Sequence, residues 1–138
     1  MVKPYEGFRP AIGPLDAPFW EGLRRHELLV QECAACSRLR FVPTELCPHC
    51  ASPAAMWTRV SGRGRVYTYT VVHRAPTPTY QAEAPYALAY VELDEGPRMP
   101  ARLVDVEPDA VVVDQPVEVV FDDVAPDVTL PRFRPVTA

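Results

Sequence analysis

The stretch ECAACSRLRFVPTELCPHC, Glu32–Cys50, contains every cysteine of the chain. The cysteines form two Cys-x-x-Cys pairs, Cys33/Cys36 and Cys47/Cys50, separated by ten residues. Two intervening residues let both thiolates of a pair turn toward one cation. Two such knuckles on facing arms complete a tetrahedron with Zn–S distances of about 2.3 Å. Four thiolates leave no open coordination position, so a site of this kind holds structure and does not activate water. So short a segment buries little core, and metal binding would supply most of its folding free energy. Two other uses of cysteine compete with this one. A dithiol redox couple wants Cys-x-x-Cys at a helix start in a βαβ setting, and that context is missing from the sequence. Disulfides want an oxidising compartment. Structural Zn2+ on Cys33, Cys36, Cys47 and Cys50 is the expectation. His49 sits between the last two ligands and, with four thiolates at hand, is expected to face solvent.

The chain around this segment has 138 residues, which suits one domain or a domain with a small appendage. Apolar residues make up 48% and charged residues 23%, so a core can form and wholesale disorder is not expected. No apolar run is long enough to span a membrane. The N-terminal MVKPYEGFRP lacks the apolar region of a signal peptide. A cytoplasmic location, where thiols stay reduced, is therefore expected. Residues 1–65 hold nine Lys/Arg and six Asp/Glu, whereas residues 66–138 hold five and twelve. Such asymmetry points to two parts with different surfaces. Seventeen prolines against six glycines imply short strands and stiff loops.

N-terminal to the cysteines, the Pro/Gly-rich first 14 residues read as an extended arm. Residues 16–26 read as a helix: Asp16 stands at the N-cap, Pro18 in the first turn, and Phe19, Trp20 and Leu23 on one face. Leu28–Gln31 reads as a strand entering the first knuckle. C-terminal to the cysteines the period changes to two. Strands are expected at Val66–His73, Tyr86–Leu93, Met99–Val104, Val117–Phe121 and Val128–Phe133, with a turn at Asp94-Glu95-Gly96-Pro97. Five short strands without intervening helices imply a small antiparallel barrel. The connection Ala75–Pro85 is long for a hairpin loop.

Three function classes can be weighed from these residues. For catalysis, His26, His73 and the acids are the acid/base candidates. With the cysteines committed to metal, no nucleophile–base pair can be argued. Nucleic-acid binding would use Tyr67, Tyr69, Tyr86 and Tyr90 as a stacking platform, but an acidic barrel segment opposes phosphate. Arg59, Arg63 and Arg65 form a local basic patch that suits a phosphate, a 3′-phospho-ADP group or simple solvation. Protein docking accounts for more of the features. The arm carries Tyr5, Phe8, Phe19 and Trp20, and a three-turn amphipathic helix must cover either its own ribbon or another chain. The proline-stiffened loop loses little entropy on ordering at an interface.

In order along the chain stand Phe19-Trp20-Glu21-Gly22-Leu23, Leu28–Cys33, Cys47-Pro48-His49-Cys50, Gly64–Arg74, Pro85-Tyr86, Val91–Arg98 and Pro131-Arg132-Phe133-Arg134-Pro135. This run resembles the DUF35 family of small zinc-ribbon OB-fold proteins, over roughly residues 12–135. The resemblance implies a mainly β protein in three parts: an N-terminal arm and helix (1–31), a rubredoxin-like zinc ribbon (32–58) and a five-stranded OB-fold barrel (59–138). It also implies an accessory role without catalytic residues of its own. Family members partner thiolase-like proteins, acyltransferases, hydroxymethylglutaryl-CoA synthases or MaoC-like enoyl-CoA hydratases, and some dock a thiolase-like aldolase in steroid side-chain breakdown. Expected partner or CoA contacts are Phe19, Trp20, Arg63, Arg65, His73, Arg74 and Tyr80, with a CoA thioester as a ligand of the complex. The alternative is a stand-alone acyl-CoA or nucleic-acid binder. The sequence departs from the expected pattern once. Where a turn glycine is expected before the fourth barrel strand, the chain has Asp114-Gln115-Pro116, and Asp tolerates a left-handed backbone better than most residues.

Overall fold

The computed structural model describes residues 4–136. Pro4–Asp16 runs without regular structure into α1 (Ala17–Arg24). Asp16 occupies the N-cap position, but its side chain makes no capping bond to the helix. Its carboxylate instead accepts from the Gly13 N–H at 2.8 Å and from Trp20 Nε1 at 3.2 Å. The helix stops two residues short of its expected end because His26 takes a left-handed conformation, φ 59°, without a glycine to announce it. There the Arg25 and His26 N–H groups donate back to the Gly22 and Leu23 carbonyls.

Three strands build the ribbon: β1 (Leu29–Cys33), β2 (Leu39–Arg40) and β3 (Ala55–Arg59), in the order β2-β1-β3, all antiparallel. β2 is too short to carry a period-two signal, and β3, Ala-Met-Trp-Thr-Arg, does not alternate apolar with polar residues.

The barrel strands are β4 (Arg63–Val72), β5 (Tyr86–Leu93), β6 (Arg98–Leu103), β7 (Pro116–Ala125) and β8 (Val128–Pro135). Each overlaps an expected strand, and together they close in the order β4-β5-β6-β8-β7. Alternation selects the interior: Ala87, Ala89, Val91 and Leu93 of β5 are all buried. β4 is shared between β5 and β7, and Gly64 lies at the crossing, opposite both Leu93 and Val117. A Cβ there would collide with the Glu92 carbonyl, so the close approach requires glycine. Asp114 does adopt a positive φ, 69°, and its N–H donates to the Val66 carbonyl at 2.8 Å.

The barrel is not wholly antiparallel. β6 and β8 run parallel and pair only at Arg102↔Arg132 and Leu103↔Phe133. The reason is in the sequence: Pro100 and Pro131 stand where that ladder would continue, and proline cannot donate to it. The wall gapes at this point, and α1 lies over the gap. Phe19 and Leu23 of the helix, Leu28 just before β1, Val30 of β1, and Met99, Ala101 and Phe133 of the barrel belong to one continuous core. Ala75–Pro85, expected as a long loop, contains a short helix, α2 (Pro78–Gln81), capped by Thr77. Gln81 ties its base, accepting from the Ala75 N–H at 2.9 Å and donating to the His73 carbonyl at 3.1 Å. Among the described residues no helix is long and apolar enough to cross a membrane.

Candidate functional site

β1 delivers Cys33 to the end of the ribbon, and the two knuckles repeat one backbone device. Ser37 donates its N–H to the Cys33 carbonyl at 2.9 Å and Ala51 to that of Cys47 at 2.8 Å. Both closing residues lie at positive φ, 65° and 63°. Inside each turn an amide points at sulfur, Cys36 N–H to Cys33 Sγ and His49 N–H to Cys47 Sγ, both at 3.4 Å. The loop between the knuckles is held by buried Arg40, which donates through Nε to Gln31 Oε1 at 3.0 Å and through Nη2 to the Thr44 carbonyl at 3.1 Å.

The four Sγ atoms lie within 4.8 Å of one another. Cys33 and Cys50 are 3.5 Å apart and Cys36 and Cys47 3.7 Å, well beyond a disulfide bond, and all four are free thiols. Four sulfurs at about 2.3 Å from one ion stand about 3.8 Å apart in a regular tetrahedron. The observed spacing therefore fits Zn2+. The thiols share a field that already favours deprotonation in part. The Cys36 amide brings the Cys33 thiol down to about 6. Cys47 is also lowered: burial pushes it up, but the His49 and Cys50 amides outweigh that. The Ser52 amide lowers Cys50, but Cys33, burial and the other two sulfurs together raise it to about 11. His49 is exposed, with Arg38 Nη1 2.8 Å from its Nδ1, and faces away from the sulfurs as expected.

The candidate contact residues do not converge on one point. Phe19, expected among the contacts, is 4% exposed and packs on Phe41 and Trp20, ring centroids 5.3 and 5.2 Å away. Its helix covers the chain's own gap, which removes Phe19 as a contact. Trp20 and Tyr80 line one apolar groove of about 360 Å3 between α1, the Ala75–Pro85 segment and the β6/β8 gap, together with Phe19, Phe41, Tyr86, Pro100 and Pro131. The arm secures Tyr80 from behind: the Phe8 N–H donates to Tyr80 Oη at 2.7 Å. Burial, then a hydrogen bond with Tyr80, pushes the Tyr5 hydroxyl up to about 12. Arg63 and Arg65 begin β4, whereas His73 and Arg74 are exposed beyond its far end, about 30 Å away for a ten-residue strand.

Sequence reading missed two clusters. Arg102 lies over the Tyr86 ring at 4.1 Å and pairs with Glu83 at 2.7 Å, beside the groove. His26 stacks on Phe121, rings 5.1 Å apart, and reaches Asp123 at 3.0 Å, and Asp123 also accepts from Thr129 Oγ1 at 2.6 Å. The Thr129 bond first, then His26, holds the Asp123 carboxyl below the usual range. This cluster ties the end of α1 to the β7/β8 hairpin. Only alternation along β7 and β8 hinted at it. His26, weighed as an acid/base, serves here as a tether.

A four-cysteine ribbon joined through one core to a small closed barrel defines a class of zinc-ribbon OB-fold proteins. Family models place the same two parts, matching residues 20–55 as the ChsH2 rubredoxin-like zinc ribbon domain and residues 57–122 as the ChsH2 C-terminal OB-fold domain. The chain belongs to this ChsH2-type DUF35 family. It is 41% identical to a probable enoyl-CoA hydratase alpha subunit of Thermomonospora curvata, over 92% of this chain and 39% of that protein. It is 36% identical to a DUF35 domain-containing scaffold protein of Methanocaldococcus jannaschii, over 78% of this chain and 77% of the relative. It is 35% identical to the 3-oxo-4,17-pregnadiene-20-carboxyl-CoA hydratase alpha subunit of Mycobacterium tuberculosis, over 97% of this chain and 42% of that protein. The chain thus spans well under half the length of the two hydratase subunits. Among solved structures it matches a chain of the Ltp2-ChsH2(DUF35) aldolase with a TM-score of 0.84 and 41% identity, covering 92% of this chain and 98% of the other.

Proposed function

We propose that this chain is a non-catalytic accessory subunit that docks and supports a thiolase-like acyl-CoA enzyme, with a retro-aldolase of steroid or lipid side-chain degradation as the preferred instance. The observation that carries the reading is the match to the ChsH2(DUF35) aldolase chain, which extends over nearly the whole of both chains. The scaffold name of the Methanocaldococcus jannaschii relative and the steroid-CoA name of the Mycobacterium tuberculosis one agree with it. Hydratase activity is not carried over, because the shared region is a minor part of those proteins. In this reading the partner breaks the carbon–carbon bond. Zn2+ holds the ribbon's shape, and the ribbon and barrel present fixed surfaces to the partner. A CoA thioester is the ligand of the complex, and Trp20, Tyr80, Arg63, Arg65, His73 and Arg74 are its or the partner's contacts. The assembly works in the cytoplasm, where the four thiols stay reduced.

The test is reconstitution. The Ltp2 chain is assayed for cleavage of a steroid side-chain acyl-CoA with and without this protein. Substantial cleavage only with both present supports the reading. Equal activity of the Ltp2 chain alone and in the mixture removes it.

A further inference from the structure

The outer wall formed by β4, β5 and β6 differs from the rest of the barrel. Strand register aligns Thr68, Tyr90 and Pro100 in one row across it and Thr70, Leu88 and Arg102 in the next. Tyr67, Leu88 and Tyr90 on this wall are 47%, 41% and 51% exposed. Exposed apolar patches of this kind on a monomer mark contact surfaces. The charge is also out of character. Alternation puts Arg63, Arg65, Arg98 and Arg102 outward on these strands, against Glu92 on β5 and, beside them, Glu83, the partner of Arg102. The barrel segment as a whole is strongly acidic, so its average charge conceals a basic island. Arg65 and Arg98 are already held in place. Arg98 lies over the Tyr67 ring at 3.7 Å and binds Glu92 at 3.0 Å, and Arg65 reaches the same carboxylate at 3.7 Å. Rigid tyrosines flanked by arginines have the composition of interface hot spots, and ordering them before contact lowers the entropy lost on binding.

We infer that this wall is the docking surface for the acyl-CoA enzyme partner, and that the partner offers it an apolar patch rimmed by acidic side chains. The inference rests on the accessory-subunit reading and adds the surface and the partner's charge to it. Charge complementarity selects the occupant, because a basic rim around apolar rows attracts an acidic-rimmed face and repels its own copy. Leu88 and Pro100 also line the groove beneath α1, so one docked chain would cover both.

The test measures affinity for the Ltp2 chain by titration calorimetry, using Leu88→Ser/Tyr90→Ser and Arg98→Glu. Arg25→Glu is the control, since Arg25 lies past the end of α1 beside Glu27 and off these strands. The double variant is expected to weaken binding about 100-fold or more. Arg98→Glu should weaken it about 10-fold and flatten its salt dependence. The control should bind within about 2-fold of wild type. Hydrogen exchange of the wild-type complex should show protection along β4–β6, a readout that needs no variant. Tight wild-type binding with unchanged affinity of the wall variants and no β4–β6 protection overturns this surface and leaves the accessory reading standing. No wild-type binding removes both. Wall variants that lose self-association or capture of a fluorescent thymidine oligonucleotide, with Ltp2 affinity intact, overturn the assigned occupant.

Discussion

In the ribbon, residues 33–52 are organised around four sulfur atoms, and the loop between the knuckles leans on a single buried arginine. In the barrel, residues 63–135 are organised around a closed hydrogen-bonded ladder whose interior is Val66, Val91, Leu93, Met99, Val117 and Phe133. The two regions are comparable in their β geometry and share a core through α1 and β1. They differ in what holds them. The ribbon carries too little apolar area to repay the entropy of ordering, so its order depends on a cation. The barrel repays that entropy with buried side chains. The chemically conspicuous region is thus the dependent one, and the plain alternating strands supply the platform.

The strongest way to break this contrast is Cys33→Ser. It should abolish stoichiometric zinc by metal analysis and collapse the ribbon amides in an NMR spectrum, while part of the barrel dispersion survives. Structural zinc contributes on the order of 10 kcal/mol to such segments. Uniform loss of both regions would show that the barrel depends on the metal too. Native protein with far less than one zinc per chain would contradict the ribbon assignment.

The converse change strikes the barrel. Gly64→Ala places a Cβ against the Glu92 carbonyl where β4 serves two neighbours. Backbone cannot yield there as a side-chain tip would, and a loss of about 3 kcal/mol is expected in chemical denaturation. Zinc content of the folded fraction should stay near one per chain. A shift under about 0.5 kcal/mol would mean the strands separate easily at the crossing.

A smaller effect concerns the tethers between regions. Asp123 and Asp127 both titrate below the ordinary carboxylate range. Asp123 is lowered by Thr129 and then His26, Asp127 by Arg9. A depressed carboxylate favours the folded state above its unfolded pKa of about 4, and that contribution disappears as pH falls through the folded value. Acidification below about pH 4 should therefore release the arm and the end of α1. Zinc leaves the protonated thiols over the same acid range, so Asp123→Asn separates the causes. It should flatten the pH dependence of exchange in residues 17–26 and leave that of zinc release unchanged. A profile identical to wild type would deny the His26–Asp123 tether. The least change expected comes from Ala51→Gly, which removes the strain of a Cβ at positive φ, worth about 1 kcal/mol at most. The zinc-loaded protein should melt slightly higher.

The sequence made the metal ligands and all five barrel strands legible because both signals are local: fixed cysteine spacing in one case, period two in the other. Asp114 was legible for the same reason, as a turn position with a residue that accepts positive φ. What depended on tertiary meeting was hidden. Nothing local marked Ser37, Ala51 or His26 as left-handed. Phe19 counted among the expected contacts because the gap it covers is made by Pro100 and Pro131, more than 80 residues later. The basic island on β4–β6 was invisible to a segment average, since Arg63 and Arg65 fall on one side of the charge boundary and Arg98 and Arg102 on the other.

Native mass spectrometry of this chain co-expressed with the Ltp2 aldolase chain decides most directly whether it docks. A hetero-oligomer in which every copy of this chain carries one zinc ion is expected. A spectrum with both chains folded but each only as its own free or self-associated species would contradict it.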